Sequence, residues 1–171
     1  MGFVVECVTE ARVSVNWVCG DMRDLPWESE FDGAFCFGNS FGYLDPRGMR
    51  AFTLALSRAL KSGARFTFDS GMLAESILSN LQERQWTQVE DILFLEENRY
   101  HALESCLETV YTFIRGQEIH VRTGMHWVYT LREVRDLLTE ASLVPIDVCS
   151  SLAGEPFRVE CPYLLLVAEK Q

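Results

Sequence analysis

The sequence predicts one mixed α/β domain: a partly parallel sheet with helices, interrupted by an antiparallel insert and closed by an antiparallel hairpin. Three observations predict it. Strand-like and helix-like patterns alternate between residues 33 and 81, and long segments of partial apolar alternation occupy residues 86–128. A capped amphipathic helix and two further strand patterns then follow. The 171 residues are 48% apolar, enough for one core, so residues 1–171 are expected to form a single domain.

Residues 3–8 (FVVECV) and 13–19 (VSVNWVC) are rich in β-branched and aromatic side chains. The second run also alternates apolar with polar positions, so both are predicted strands. Gly20-Asp21 ends the second one. After a polar loop holding Pro26, residues 33–37 (GAFCF) are apolar at both parities, the pattern of a strand buried on both faces of a parallel sheet. It stops at Gly38-Asn39-Ser40. Asp45-Pro46 reads as an N-cap followed by proline at the first helical position, and Phe52, Ala55, Leu56, Ala59 and Leu60 recur on one helical face. Lys61-Ser62-Gly63 is the expected helix stop. Residues 64–69 form the next predicted strand, with turn residues Ser70 and Gly71 at its end and a helical stretch over 73–81 beyond.

Breaks at Glu97-Asn98, around Glu104-Ser105 and at Arg115-Gly116-Gln117 divide residues 86–128 into an expected three-stranded antiparallel β-meander. Thr130-Leu131-Arg132-Glu133 is a capping box, opening a helix whose apolar face is Leu131, Val134, Leu137, Leu138 and Ala141. Residues 143–149 and 162–168, separated by Gly154-Glu155-Pro156, suit an antiparallel hairpin with a broad connection.

A formal net charge of −10 repels phosphate backbones and anionic membrane surfaces, so neither nucleic acid nor membrane is an expected partner. The six cysteines show no C-x-x-C pair and are read as reduced thiols. With no leader pattern and no apolar run of membrane-spanning length, a cytoplasmic protein is expected. His101, His120 and His126 all fall in the meander, but no metal-ligand spacing links them and no metal is expected. Trp86, Tyr100, Tyr111, Trp127 and Tyr129 are read as sheet packing in preference to an aromatic wall around an amine. No nucleophile elbow or phosphate loop is present.

Four blocks share an order and spacing: Gly20-Asp21-Met22, Phe31-Asp32-Gly33-Ala34-Phe35, Leu60-Lys61-Ser62-Gly63-Ala64-Arg65-Phe66 and Tyr129-Thr130-Leu131-Arg132-Glu133-Val134. Together they resemble class I S-adenosylmethionine-dependent methyltransferases from the third strand onward, over about residues 13–170. The resemblance implies a partial Rossmann-like methyltransferase sheet, with residues 86–128 as an inserted lid or dimer element. It places Asp21 and Met22 against the adenine of S-adenosylmethionine, and Phe37 and Gly38 beside its sulfonium. It places Asn39, Ser40 and Tyr43 against a small-molecule acceptor, with Tyr43 and His126 as positioning or base residues for transfer to nitrogen or oxygen.

The same resemblance calls for a G-x-G-x-G loop before residue 13, where Gly2 is the only glycine. Three expectations follow: a methyltransferase-like protein, a non-catalytic domain that has lost cofactor binding and self-associates or binds a ligand or partner, or one half of a split enzyme. Without the family's first strand, residues 33–37 are expected to keep an open apolar edge. Residues 3–8, residues 13–19 or a second copy in a homodimer would cover it.

Overall fold

The computed structural model describes residues 14–171. The elements are β1 (Phe31–Cys36), α1 (Pro46–Ala59), β2 (Leu60–Ser70), α2 (Ala74–Ile77), β3 (Arg84–Val89), β4 (Ile92–His101), β5 (Cys106–Arg115), β6 (Glu118–Trp127), α3 (Leu131–Glu140), β7 (Leu143–Cys149) and β8 (Leu164–Lys170). They make two four-stranded sheets, ordered β1-β2-β8-β7 and β3-β4-β5-β6. In the first, β1 and β2 run parallel, while β8 is antiparallel to both β2 and β7. This is the expected partial Rossmann-like sheet with a closing antiparallel hairpin. The second sheet is an all-antiparallel meander.

Local chemistry explains the helix starts. The Asp45 carboxylate accepts the Gly48 amide at 2.7 Å, with Pro46 at the first helical position of α1. At α3, Thr130 Oγ1 accepts the Glu133 amide and the Glu133 carboxylate accepts the Thr130 amide at 2.7 Å, a complete capping box. Glu75 adds a further acceptor, taking the Leu131 amide at 3.0 Å. Both helices lie on one face of the first sheet. Met49, Phe52 and Leu56 of α1 and Val134 and Leu138 of α3 share a core with Phe66, Phe68, Leu164, Leu166 and Ala168. Burying each large side chain in that group contributes about 1.5–3 kcal/mol before entropy is counted. None of the described helices is long and apolar enough to cross a membrane.

Several expectations are corrected. Residues 14–19 form no strand, and residues 3–8 lie outside the described residues. The strand at 33–37 is not buried on both faces: Ala34 and Cys36 pack against the core, whereas Phe35 is 75% exposed. Apolar content at both parities records what a strand tolerates, but not which layer covers it. Among the described residues nothing pairs with the outer edge of β1.

The meander has four strands where three were expected. Its first turn is the two-residue Glu90-Asp91 connection between Val89 and Ile92, with Glu90 at φ 53°, a polar pair without the Asn-Gly signal. Glu97 and Asn98, read as a break, sit inside β4 opposite Val110 and Thr109. The helix over 73–81 contracts to Ala74–Ile77. Residues 61–63, read as the stop of α1, instead belong to the irregular start of β2, where the register to β1 shifts and Gly63 takes φ 77°.

Candidate functional site

The chain leaves β1 through two successive left-handed residues, Gly38 at φ 76° and Asn39 at φ 58°. Asp69, at the end of the parallel neighbour β2, accepts both of their amides, at 2.8 and 3.3 Å. In return the Asn39 side-chain oxygen accepts the Gly71 amide at 2.6 Å. The two turns beyond the carboxyl ends of adjacent parallel strands are thus laced together, the place where α/β sheets bind ligands. Ser40 Oγ donates to the Phe37 carbonyl at 3.0 Å, an internal turn bond.

The same segment then reaches the insert. Gly42, at φ 110°, accepts the Trp127 amide at 2.8 Å. A Cβ on it would stand 2.5 Å from His126 Nε2, so only glycine lets the imidazole lie there. The Tyr43 ring meets His126 edge-on, with centroids 5.1 Å apart. His126 is only 6% exposed, and burial depresses its pKa to about 4, part of the fall being offset by a hydrogen bond with the Phe41 backbone. At neutral pH the ring is therefore uncharged. A base so weakened suits hydrogen-bond acceptance and positioning better than proton abstraction at pH 7.

A cavity of about 210 Å³ lies between this segment, the region around α2 and one face of the insert. Asn39, Tyr43 and His126, all expected site residues, line it together; Ser40 does not. The insert contributes Gln85, Glu96, Asn98, Leu107, Thr109 and Tyr111, of which sequence reasoning raised only Tyr111, in the aromatic-wall alternative. Register explains their convergence: Glu96 opposes Tyr111, Asn98 opposes Thr109 and Leu107 opposes His126, so all share one face. Thr109 donates to Asn98 at 2.7 Å, and Asn98 donates to the Gln82 carbonyl at 3.0 Å. Tyr111 stacks on Phe94, lies across Gly124, and has its hydroxyl pKa raised by burial.

The other candidates do not join this site. His120 shares the face of His126 but is exposed and six residues along the strand, about 20 Å away at the usual strand rise. His101 contacts the Glu108 carboxylate at 2.9 Å. Among the described residues no group of three or more His, Cys, Asp or Glu is placed to hold a metal. Of the five aromatic candidates only Tyr111 lines the cavity.

The residues expected to hold S-adenosylmethionine do not converge. Asp21 and Met22 line a hollow of about 390 Å³ with Trp27, while Phe37 lines another of about 430 Å³ with Asp69, Tyr163 and Leu165. The Gly38 amide is spent on Asp69. Asp21 is gripped by its near neighbour Arg23 through a 2.6 Å ion pair, and those hydrogen bonds hold its carboxyl down at about 2. Among the described residues these groups do not fit a complete S-adenosylmethionine site.

No protein-family model matches the chain, and no curated protein sequence does. Solved structures do match. An S-adenosylmethionine-dependent methyltransferase from Clostridium acetobutylicum superposes with a TM-score of 0.84 at 15% identity, covering 99% of this chain and 70% of that one. The CcbJ methyltransferase from Streptomyces caelestis gives 0.78 at 16%, covering 90% of this chain and 62% of its own. CalS10, an amino pentose methyltransferase from Micromonospora echinaspora, gives 0.62 at 19%, covering 89% and 63%. The chain thus spans about two-thirds of the length of these proteins. Its fold is that of the class I S-adenosylmethionine-dependent methyltransferases, from the strand that carries the turn at Gly38 to the closing hairpin.

Proposed function

We propose that the chain is the acceptor-binding portion of an S-adenosylmethionine-dependent methyltransferase acting on nitrogen or oxygen of a small molecule. The observation that carries this reading is the cavity beyond β1, where Tyr43 and the buried, uncharged His126 face a wall built by the insert. In this role Tyr43 orients the acceptor, and His126 accepts a hydrogen bond from its N–H or O–H. The fold and the amino pentose specificity of one structural relative support a small polar acceptor. The free cysteines Cys19, Cys36, Cys106, Cys149 and Cys161 support a reducing, cytoplasmic setting.

A second reading is favoured by the grip of Arg23 on Asp21 and by the dispersal of the cofactor candidates: a non-catalytic domain that keeps the acceptor cavity. Exposed Phe31, Phe35 and Phe37 on the outer side of β1, or the insert, would then serve self-association as a homodimer. Titration calorimetry with S-adenosylmethionine and S-adenosylhomocysteine, with the mass in solution measured alongside, separates the two readings. Saturable micromolar binding, about −8 kcal/mol, supports the methyltransferase. A folded chain that binds neither supports the non-catalytic domain.

A further inference from the structure

The cavity is chemically different at its two ends. Directly opposed residues across the insert form successive rows on one face. The first is Gln85, Glu96, Tyr111 and Arg122; the next holds Asn98, Thr109 and Gly124; the third holds Tyr100, Leu107 and His126. Four residues of strand separate the first row from the third, about 13 Å at the usual rise. Glu96 therefore stands at one end of the cavity and His126 at the other.

Between them the polar groups are already committed, Thr109 to Asn98 and Asn98 to the Gln82 carbonyl. The remaining lining is apolar at Met72, Ile77, Leu81 and Leu107. Half-buried Glu96 accepts the Gln85 side-chain amide on one carboxylate oxygen. Among the described residues no lysine or arginine lines the cavity, and Arg122, the cation in the same row, is turned to the Val121 carbonyl at 2.8 Å. One formal negative charge thus faces a small cavity whose far end is neutral.

We infer that this cavity takes a slender molecule carrying a cationic amine at the end remote from the atom that meets Tyr43 and His126, with Glu96 as the anchor. A carboxylate in a partly desolvated wall prefers a charged donor to a hydroxyl, since charge-assisted hydrogen bonds are roughly twice as strong as neutral ones. The inference rests on the cavity being the acceptor site, and it assigns the acceptor's chemical class.

The test titrates the full chain with 1,5-diaminopentane and with 1,5-pentanediol, following the His126 ring signals by NMR and affinity by calorimetry. The expected result is that the diamine shifts His126 and binds at least about tenfold more tightly than the diol, and that Glu96→Gln brings it down to the diol's level. If both probes shift His126 with equal affinity, the cavity binds ligands and the role of Glu96 is overturned. If a diamine preference survives Glu96→Gln, the anchor lies elsewhere and the inference is likewise overturned. If neither probe moves His126, the acceptor-site reading fails and the inference falls with it.

Discussion

The cavity beyond β1 and the hollow around Asp21 are built in different ways. Around the cavity, Asp69, Asn39, Gly42 and Asn98 tie segments distant in sequence to one another, and His126 is buried and uncharged. Asp21 pairs instead with Arg23, two residues along, and both partners of that pair are about half exposed. Long-range bonds organise a site at a cost in chain entropy that only tertiary packing offsets, whereas a pair two residues apart forms wherever the chain turns. The difference marks the cavity beyond β1 as a product of long-range contacts and the Asp21–Arg23 pair as a local one.

The largest expected effect tests the buried side of that contrast. His126 has a pKa of about 4 in the fold against an ordinary 6.5, so between those values the unfolded chain binds the extra proton. Its contribution to stability is therefore complete above about pH 6.5 and is lost as the pH falls toward 4, by up to about 3 kcal/mol. Urea unfolding measured across that window should show the loss, and His126→Gln should flatten it. An unchanged slope in the variant would mean that another group titrates.

Gly42→Ala comes next. A methyl group 2.5 Å from His126 Nε2 on a backbone at φ 110° should destabilise the protein by about 2–3 kcal/mol, with the His126 ring signals displaced. Asn39→Ala leaves the Gly71 amide without its acceptor and should cost about 1–2 kcal/mol by urea midpoint. Arg23→Ala should leave the urea midpoint unchanged, since an exposed pair is screened by solvent. A gain of S-adenosylmethionine binding in that variant would show that Arg23 blocks a preformed adenine site, and would erase the contrast between the two regions.

Much of the first sheet was legible in the residues because its signals are local. Asp45-Pro46 and the Thr130–Glu133 box announce helix starts through contacts within one turn, and the structure places both caps where they were expected. The apolar faces of α1 and α3 follow from helical periodicity. Asn39, Tyr43 and His126 were anticipated and do meet at one cavity. Glu96 and Gln85 were not, because nothing around either residue distinguishes it from any polar position on an exposed strand. The signal lies in the register, and the register turned on a Glu90-Asp91 turn whose sequence does not announce itself.

By itself, then, the sequence determined the order of elements from β1 through α1 to β2 and from α3 to β8, the helix caps, the apolar faces that fill the core, and the resemblance that names the fold. Tertiary structure alone decided that Phe35 faces solvent and that the insert's strands bring Glu96 and His126 onto one wall. Periodicity and capping act over a few residues and are written in adjacent side chains. Burial and strand register depend on which distant segments arrive alongside, and only the folded chain determines that.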